Sequence, residues 1–62
     1  MNKYEVKTIY KTDVFFAESM RKNKKSVTFK NVFLFDPGKE KPDYTKVKYY
    51  RFLSVKRVLI EK

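Results

Sequence analysis

Lys25-Ser26-Val27-Thr28-Phe29-Lys30-Asn31-Val32-Phe33-Leu34-Phe35 is the stretch on which the fold turns. From Val27 to Lys30 apolar and polar residues alternate, the period of a strand with one buried face. From Val32 onward both faces become apolar. A β-bulge at Asn31, or a strand bent around a barrel corner, accounts for the change. The stretch is therefore expected to be the central strand. It stops at Asp36-Pro37-Gly38, where a proline and the chain's only glycine signal a turn. The loop continues through Lys39-Glu40-Lys41-Pro42-Asp43, and a connection of this length and polarity is expected to be mobile.

Upstream, residues 3–11 place Tyr4, Val6, Thr8 and Tyr10 on one side and Glu5, Lys7, Ile9 and Lys11 on the other, again at period two, with a bend at Thr12-Asp13. Residues 14–22 read in two ways. Thr12 or Asp13 can cap a short helix that ends at Met20-Arg21-Lys22 with its basic residues correctly placed. A strand has a supporting register: a loop at Lys22-Asn23-Lys24 sets Ser19 opposite Val27 and Ala17 opposite Phe29, small against large. The strand is the preferred reading. Downstream, alternation resumes over 44–52, with Val47 and Tyr49 against Lys46, Lys48 and Tyr50. Val55 and Val58 are three apart, which suits a 3₁₀ turn, and Val58-Leu59-Ile60-Glu61 suits a closing strand.

The expected fold is all-β: a single domain over 1–62 with five short antiparallel strands, as a small barrel or a strongly bent sheet. The alternative is α+β, with a short helix at 13–22. The strand plan, with a long connection before the fourth strand and one turn before the last, resembles the SH3-like and Sm-like small barrels in architecture, without a motif of either family. Oligonucleotide-binding and cold-shock barrels are less similar, because their glycine-punctuated RNP signature is missing.

A chain of 62 residues buries only about 60% of its unfolded surface, so its stability margin is small. There is no cysteine to form a disulfide and no histidine to bind metal. The core has to come from eleven aromatic residues, six Phe and five Tyr. A monomer or a homodimer that hides the surplus fits this composition. The longest apolar runs, 14–17, 32–35 and 58–60, are far short of the ~20 residues that span a bilayer. No secretory signal pattern opens the chain, so the cytoplasm is the expected compartment. Thirteen lysines against three arginines, together with five Tyr and six Phe, match AT-rich coding and point to a low-GC bacterium or one of its phages.

Covalent chemistry is not expected. Histidine and cysteine, the usual base and a common nucleophile, are absent, and Ser19, Ser26 and Ser54 sit in no nucleophile context. One glycine cannot build a phosphate loop. Asp36, Glu40 and Asp43 are interleaved with Lys39 and Lys41 at a spacing unlike a calcium loop. The protein is read as a non-enzyme with no cofactor and no metal.

The net charge of +9 speaks to partners. Between Glu18 and Asp36 there is no acid, while Arg21, Lys22, Lys24, Lys25 and Lys30 are present. Between Asp43 and Glu61 there is again none, and Lys46, Lys48, Arg51, Lys56 and Arg57 are present. If their strands lie side by side, these segments make one positive surface that attracts phosphates, with Tyr50 available to stack on an unpaired base. Nucleic acid, DNA or RNA, is the expected partner. The plainer role for each lysine is to solvate a strand edge and block aggregation there. An interaction module or small regulator docking on an acidic host protein is the second reading, motivated by apolar residues on both faces of 32–35 and by Tyr49, Tyr50 and Phe52 as a groove. A membrane-surface role through the basic face ranks third, since no amphipathic helix longer than about ten residues can be drawn.

Overall fold

In the computed structural model, which describes residues 1–58, strand β1 (Asn2–Lys7) follows the expected alternation and buries Tyr4 and Val6. It ends at Lys7, not Lys11. The Thr8 N–H donates to the Lys11 carbonyl at 2.9 Å, and the Thr8 hydroxyl donates to the same carbonyl while accepting the Tyr10 and Lys11 amides. These local bonds compete with the ladder and close a turn, leaving Ile9 and Tyr10 at its tip.

Strand β2 (Thr12–Lys22) runs back along β1, from Lys7 opposite Thr12 to Asn2 opposite Ala17. The helix considered for 13–22 does not form. Asp13 accepts the Tyr49 hydroxyl instead of capping, and Val14, Phe15 and Phe16 favour a pleated surface. Strand β3 (Val27–Phe33) follows a loop closed by the Asn23 amide donating to the Ser26 carbonyl at 2.7 Å. Lys22 therefore faces Val27, Ser19 faces Lys30 and Ala17 faces Val32. The register expected from a shorter loop, with Ser19 opposite Val27 and Ala17 opposite Phe29, is displaced by three residues because the turn takes in Lys25 and the buried Ser26.

Asn31 has φ 51°, in the left-handed region that Asn tolerates better than most side chains. The register is the same on both sides of it, Ser19 with Lys30 and Ala17 with Val32, so no residue is inserted and the bend is not a two-against-one bulge. Its effect is to change which residues face inward. Val27 and Phe29 point to the core before it, Val32 and Leu34 after it.

Strand β4 (Tyr44–Tyr49) pairs with β3, and β5 (Ser54–Val58) pairs with β1, giving one antiparallel sheet in the order β4-β3-β2-β1-β5. The middle strand is β2, where β3 was expected. No ladder joins β4 to β5 among the described residues. The 3₁₀ turn expected at 55–58 is strand, because the free side of β1 offers a ladder and the Leu53 amide donates to the Lys7 carbonyl at 2.6 Å to start it. The rest of the expected closing strand, 59–61, lies outside the described residues.

With no helix among the described residues, the sheet curls to cover its own apolar face. Val6, Val27 and Phe29 are 0% exposed. Phe29 lies at the centre, edge-on to Phe15 at 4.8 Å and 88°, edge-on to Tyr49 at 6.0 Å, and tilted against Tyr4 at 5.2 Å. Removing its ring opens a cavity that three strands line. Phe29→Ala is expected to cost about 3–5 kcal/mol, enough to abolish a cooperative thermal transition followed by circular dichroism. At position 31, Asn31→Gly is expected to leave the melting temperature close to wild type. Asn31→Val should lower stability by roughly 1–2 kcal/mol, the cost of forcing a β-branched residue into left-handed backbone.

Candidate nucleic-acid interface

Because Val27 and Phe29 point inward, Thr28 and Lys30 point outward, and residues directly across an antiparallel ladder share a face. Two rungs follow: Arg21–Thr28–Lys48 and Ser19–Lys30–Lys46. Neighbouring strands are about 4.8 Å apart and the rungs about 6.7 Å apart, so Arg21, Lys30, Lys46 and Lys48 share a small area. A groove of about 530 Å³ lies over them, lined by Ser19, Met20, Arg21, Asn23, Thr28, Lys30 and Lys46, with no carboxylate in its wall. Lys30 and Lys46 are direct partners, an arrangement that disfavours pairing unless an anion comes between them. Glu18, next along β2, is engaged by the Asn31 side-chain amide at 2.6 Å.

The loops at one end of these strands carry the second patch. Lys22, Lys24, Lys25, Tyr50, Arg51 and Phe52 surround an open depression of about 500 Å³. The Lys22 ammonium sits 5.8 Å from the Phe52 ring centroid and that of Lys48 5.2 Å from Tyr50. Both are within cation–π range. Tyr50 is 71% exposed, so much of its ring remains open to solvent beside Lys48, which stands across from Thr28 of the groove wall.

The two acid-free segments therefore converge only in part. Arg21, Lys22, Lys24, Lys25 and Lys30 lie beside Lys46, Lys48, Tyr50 and Arg51. Lys56 and Arg57 are on β5, at the opposite edge of the sheet order, where Lys56 stands across from Glu5 and Arg57 across from Tyr4.

Sequence reasoning missed Asp43. One of its carboxylate oxygens accepts the Leu34 amide at 2.8 Å, the other pairs with Lys39, and its own amide donates to the Val32 carbonyl at 2.8 Å. The loop expected to be mobile is thus pinned at its base, and Asp36 tightens its tip by accepting the Gly38 amide at 2.9 Å. The clamp matters to the basic face because Tyr44, the next residue, opens β4 opposite Val32 and so sets where Lys46 and Lys48 fall. The signal was an aspartate just before a strand, a residue type that readily bonds nearby backbone amides. The Lys39 hydrogen bond first, and the Leu34 amide second, hold the Asp43 carboxyl below its usual range.

Tyr49 is fixed in the other direction. Burial chiefly, and then the hydrogen bond it donates to Asp13 at 2.9 Å, keep its phenol protonated well above the usual tyrosine range. Among the described residues no group of three acidic side chains gathers at a metal-binding spacing, and no helix is long and apolar enough to cross a membrane. Comparison with known proteins finds no matching family model, curated protein or solved structure.

A carboxyl with a lowered folded pKa contributes stability that is present above the unfolded value of about 3.9 and is lost as pH falls through the lower folded value. The protection factor of the Leu34 amide in hydrogen exchange is therefore expected to fall as Asp43 protonates on acidification below about pH 4. In Asp43→Asn that acid-dependent loss should disappear, with Leu34 less protected already at neutral pH.

Proposed function

We propose that the protein is a non-catalytic, cytoplasmic single-stranded nucleic-acid-binding module that tracks the phosphate backbone with its basic sheet face and stacks a base on Tyr50. The observation that carries this reading is the pair of rungs, which set Lys30 and Lys46 directly opposite each other with Arg21 and Lys48 one rung away and no acid in the groove wall. Counterion release on phosphate binding turns such a cluster into affinity. The exposed Tyr50 ring beside Lys48 adds a stacking plate that any base can use. A single strand is favoured over a duplex because unpaired bases present their faces to the exposed Tyr50 ring, whereas the bases of a duplex are stacked on one another.

Fluorescence polarisation with labelled single-stranded and duplex oligonucleotides, over a range of salt, tests the proposal. Single-strand binding should weaken with salt by about 0.7 in log–log slope per phosphate neutralised, and Lys30→Ala with Lys46→Ala should reduce the slope by about 1.4. Tyr50→Ala should weaken single-strand binding with little change in slope. Lys30→Glu should weaken binding while leaving the fold as stable or slightly more so, because an opposite-charge pair replaces a like-charge one. No binding at low salt, or equal affinity for polyglutamate, overturns the proposal.

A further inference from the structure

A third concave surface lies where the β1–β2 turn meets residues 51–53; it shares Arg51 and Phe52 with the second basic patch, but the nucleic-acid reading makes no use of its Ile9, Tyr10 and Leu53. The cleft measures about 340 Å³, near the lower end for ligand sites, room for one or two side chains. Its walls are Ile9 and Tyr10 on one side and Phe52 and Leu53 on the other, with Tyr49 between them. Three of these are unusually open for their type: Ile9 is 69%, Tyr10 89% and Leu53 61% exposed. Apolar side chains gathered on an otherwise charged surface mark a contact site more often than isolated ones do.

The walls are held in place. The Thr8 hydroxyl ties the turn on one side, the Leu53 amide is bonded to the Lys7 carbonyl on the other, and the floor is fixed by the Tyr49–Asp13 hydrogen bond. A site ordered before its ligand arrives spends less binding energy on ordering. Charge then selects the occupant. Lys11 and Arg51 line the cleft, and its one acid, Asp13, is engaged by Lys11 at 3.5 Å and by the Tyr49 hydroxyl. Two cations against one acid leave the lining with a net charge of +1, and Arg51 is the cation that Asp13 does not engage.

A second copy of the chain fits poorly, because a two-fold contact through this patch sets the Lys11 and Arg51 of each copy against those of the other. A nucleobase fits less well: Tyr10 is the one exposed ring of the lining, and the other open side chains, Ile9 and Leu53, are aliphatic and offer no flat face for stacking. We infer that the cleft docks a partner protein through a short acidic segment bearing a bulky apolar anchor: the anchor fills the space between Ile9 and Leu53 and the flanking carboxylates meet Lys11 and Arg51.

Fluorescein-labelled twelve-residue peptides of alternating Asp and Glu around a central Phe-Leu, Leu-Leu, Tyr-Ile or Ser-Ser pair test this at near-physiological salt. At least one apolar-centred peptide should bind about tenfold or more tightly than the Ser-Ser peptide, and Ile9→Ser with Leu53→Ser should remove that difference. Both positions are exposed, so the melting temperature of each single variant should stay near wild type and separates lost docking from lost fold. Lys30→Glu with Lys46→Glu, the variant directed at the nucleic-acid face, should leave peptide binding intact, so that either proposal can fail alone. Equal binding of all peptides, no binding of any, or full retention of the preference in the Ile9/Leu53 variant overturns the inference. So does light scattering that finds a dimer abolished by the same two substitutions, or their loss of binding to phosphatidylserine vesicles in the absence of peptide binding.

Discussion

A lone sheet has no second layer to cover its apolar face, and this chain meets that constraint by gathering aromatic rings around Phe29. Phe15 comes from β2, Tyr49 from β4 and Tyr4 from β1, so the cluster draws on four of the five strands. Aromatic rings suit the task because each removes a large area from water and packs edge to face with specific geometry. With only 62 residues and no disulfide, little else is available to hold the sheet curled.

The bend at Asn31 links that core to the surface. An unbroken strand would keep one parity inward from end to end, and Val32 would then point away from the rings with Thr28 and Lys30. The left-handed residue lets Val27 and Phe29 on one side, and Val32 and Leu34 on the other, all reach the interior. The apolar run that follows thereby becomes core, while Lys30 keeps its outward position across from Lys46.

Much of this architecture was legible in the residues. Period two in 3–7, 27–30 and 44–49 marked strands because one face of each is buried, and the switch at Asn31 was visible as a change of pattern. What escaped depends on bonds that alternation does not encode. Ile9 and Tyr10 continue the pattern of β1 yet sit in a turn made by the Thr8 hydroxyl. The β2–β3 register depended on whether Lys25 and Ser26 belonged to the turn. Lys56 and Arg57 shared an acid-free segment with Lys46 and Lys48 but fell on the far edge strand, since order in the chain does not set order in the sheet. Of the basic face, the residue types were readable and the rungs were not, because rungs exist only once register is known.

The Asp43 clamp separates two parts of the molecule mechanically. On its inner side the ladder of β3 and β4 is held by the Leu34 and Val32 backbone; on its outer side residues 36–42 form a closed excursion whose ends the clamp already joins. Lengthening such an excursion costs only about 0.6 kcal/mol per doubling of its length. The segment around Pro37 and Gly38 is accordingly expected to tolerate an inserted peptide or a fused domain, with the sheet on the other side of the clamp left in register.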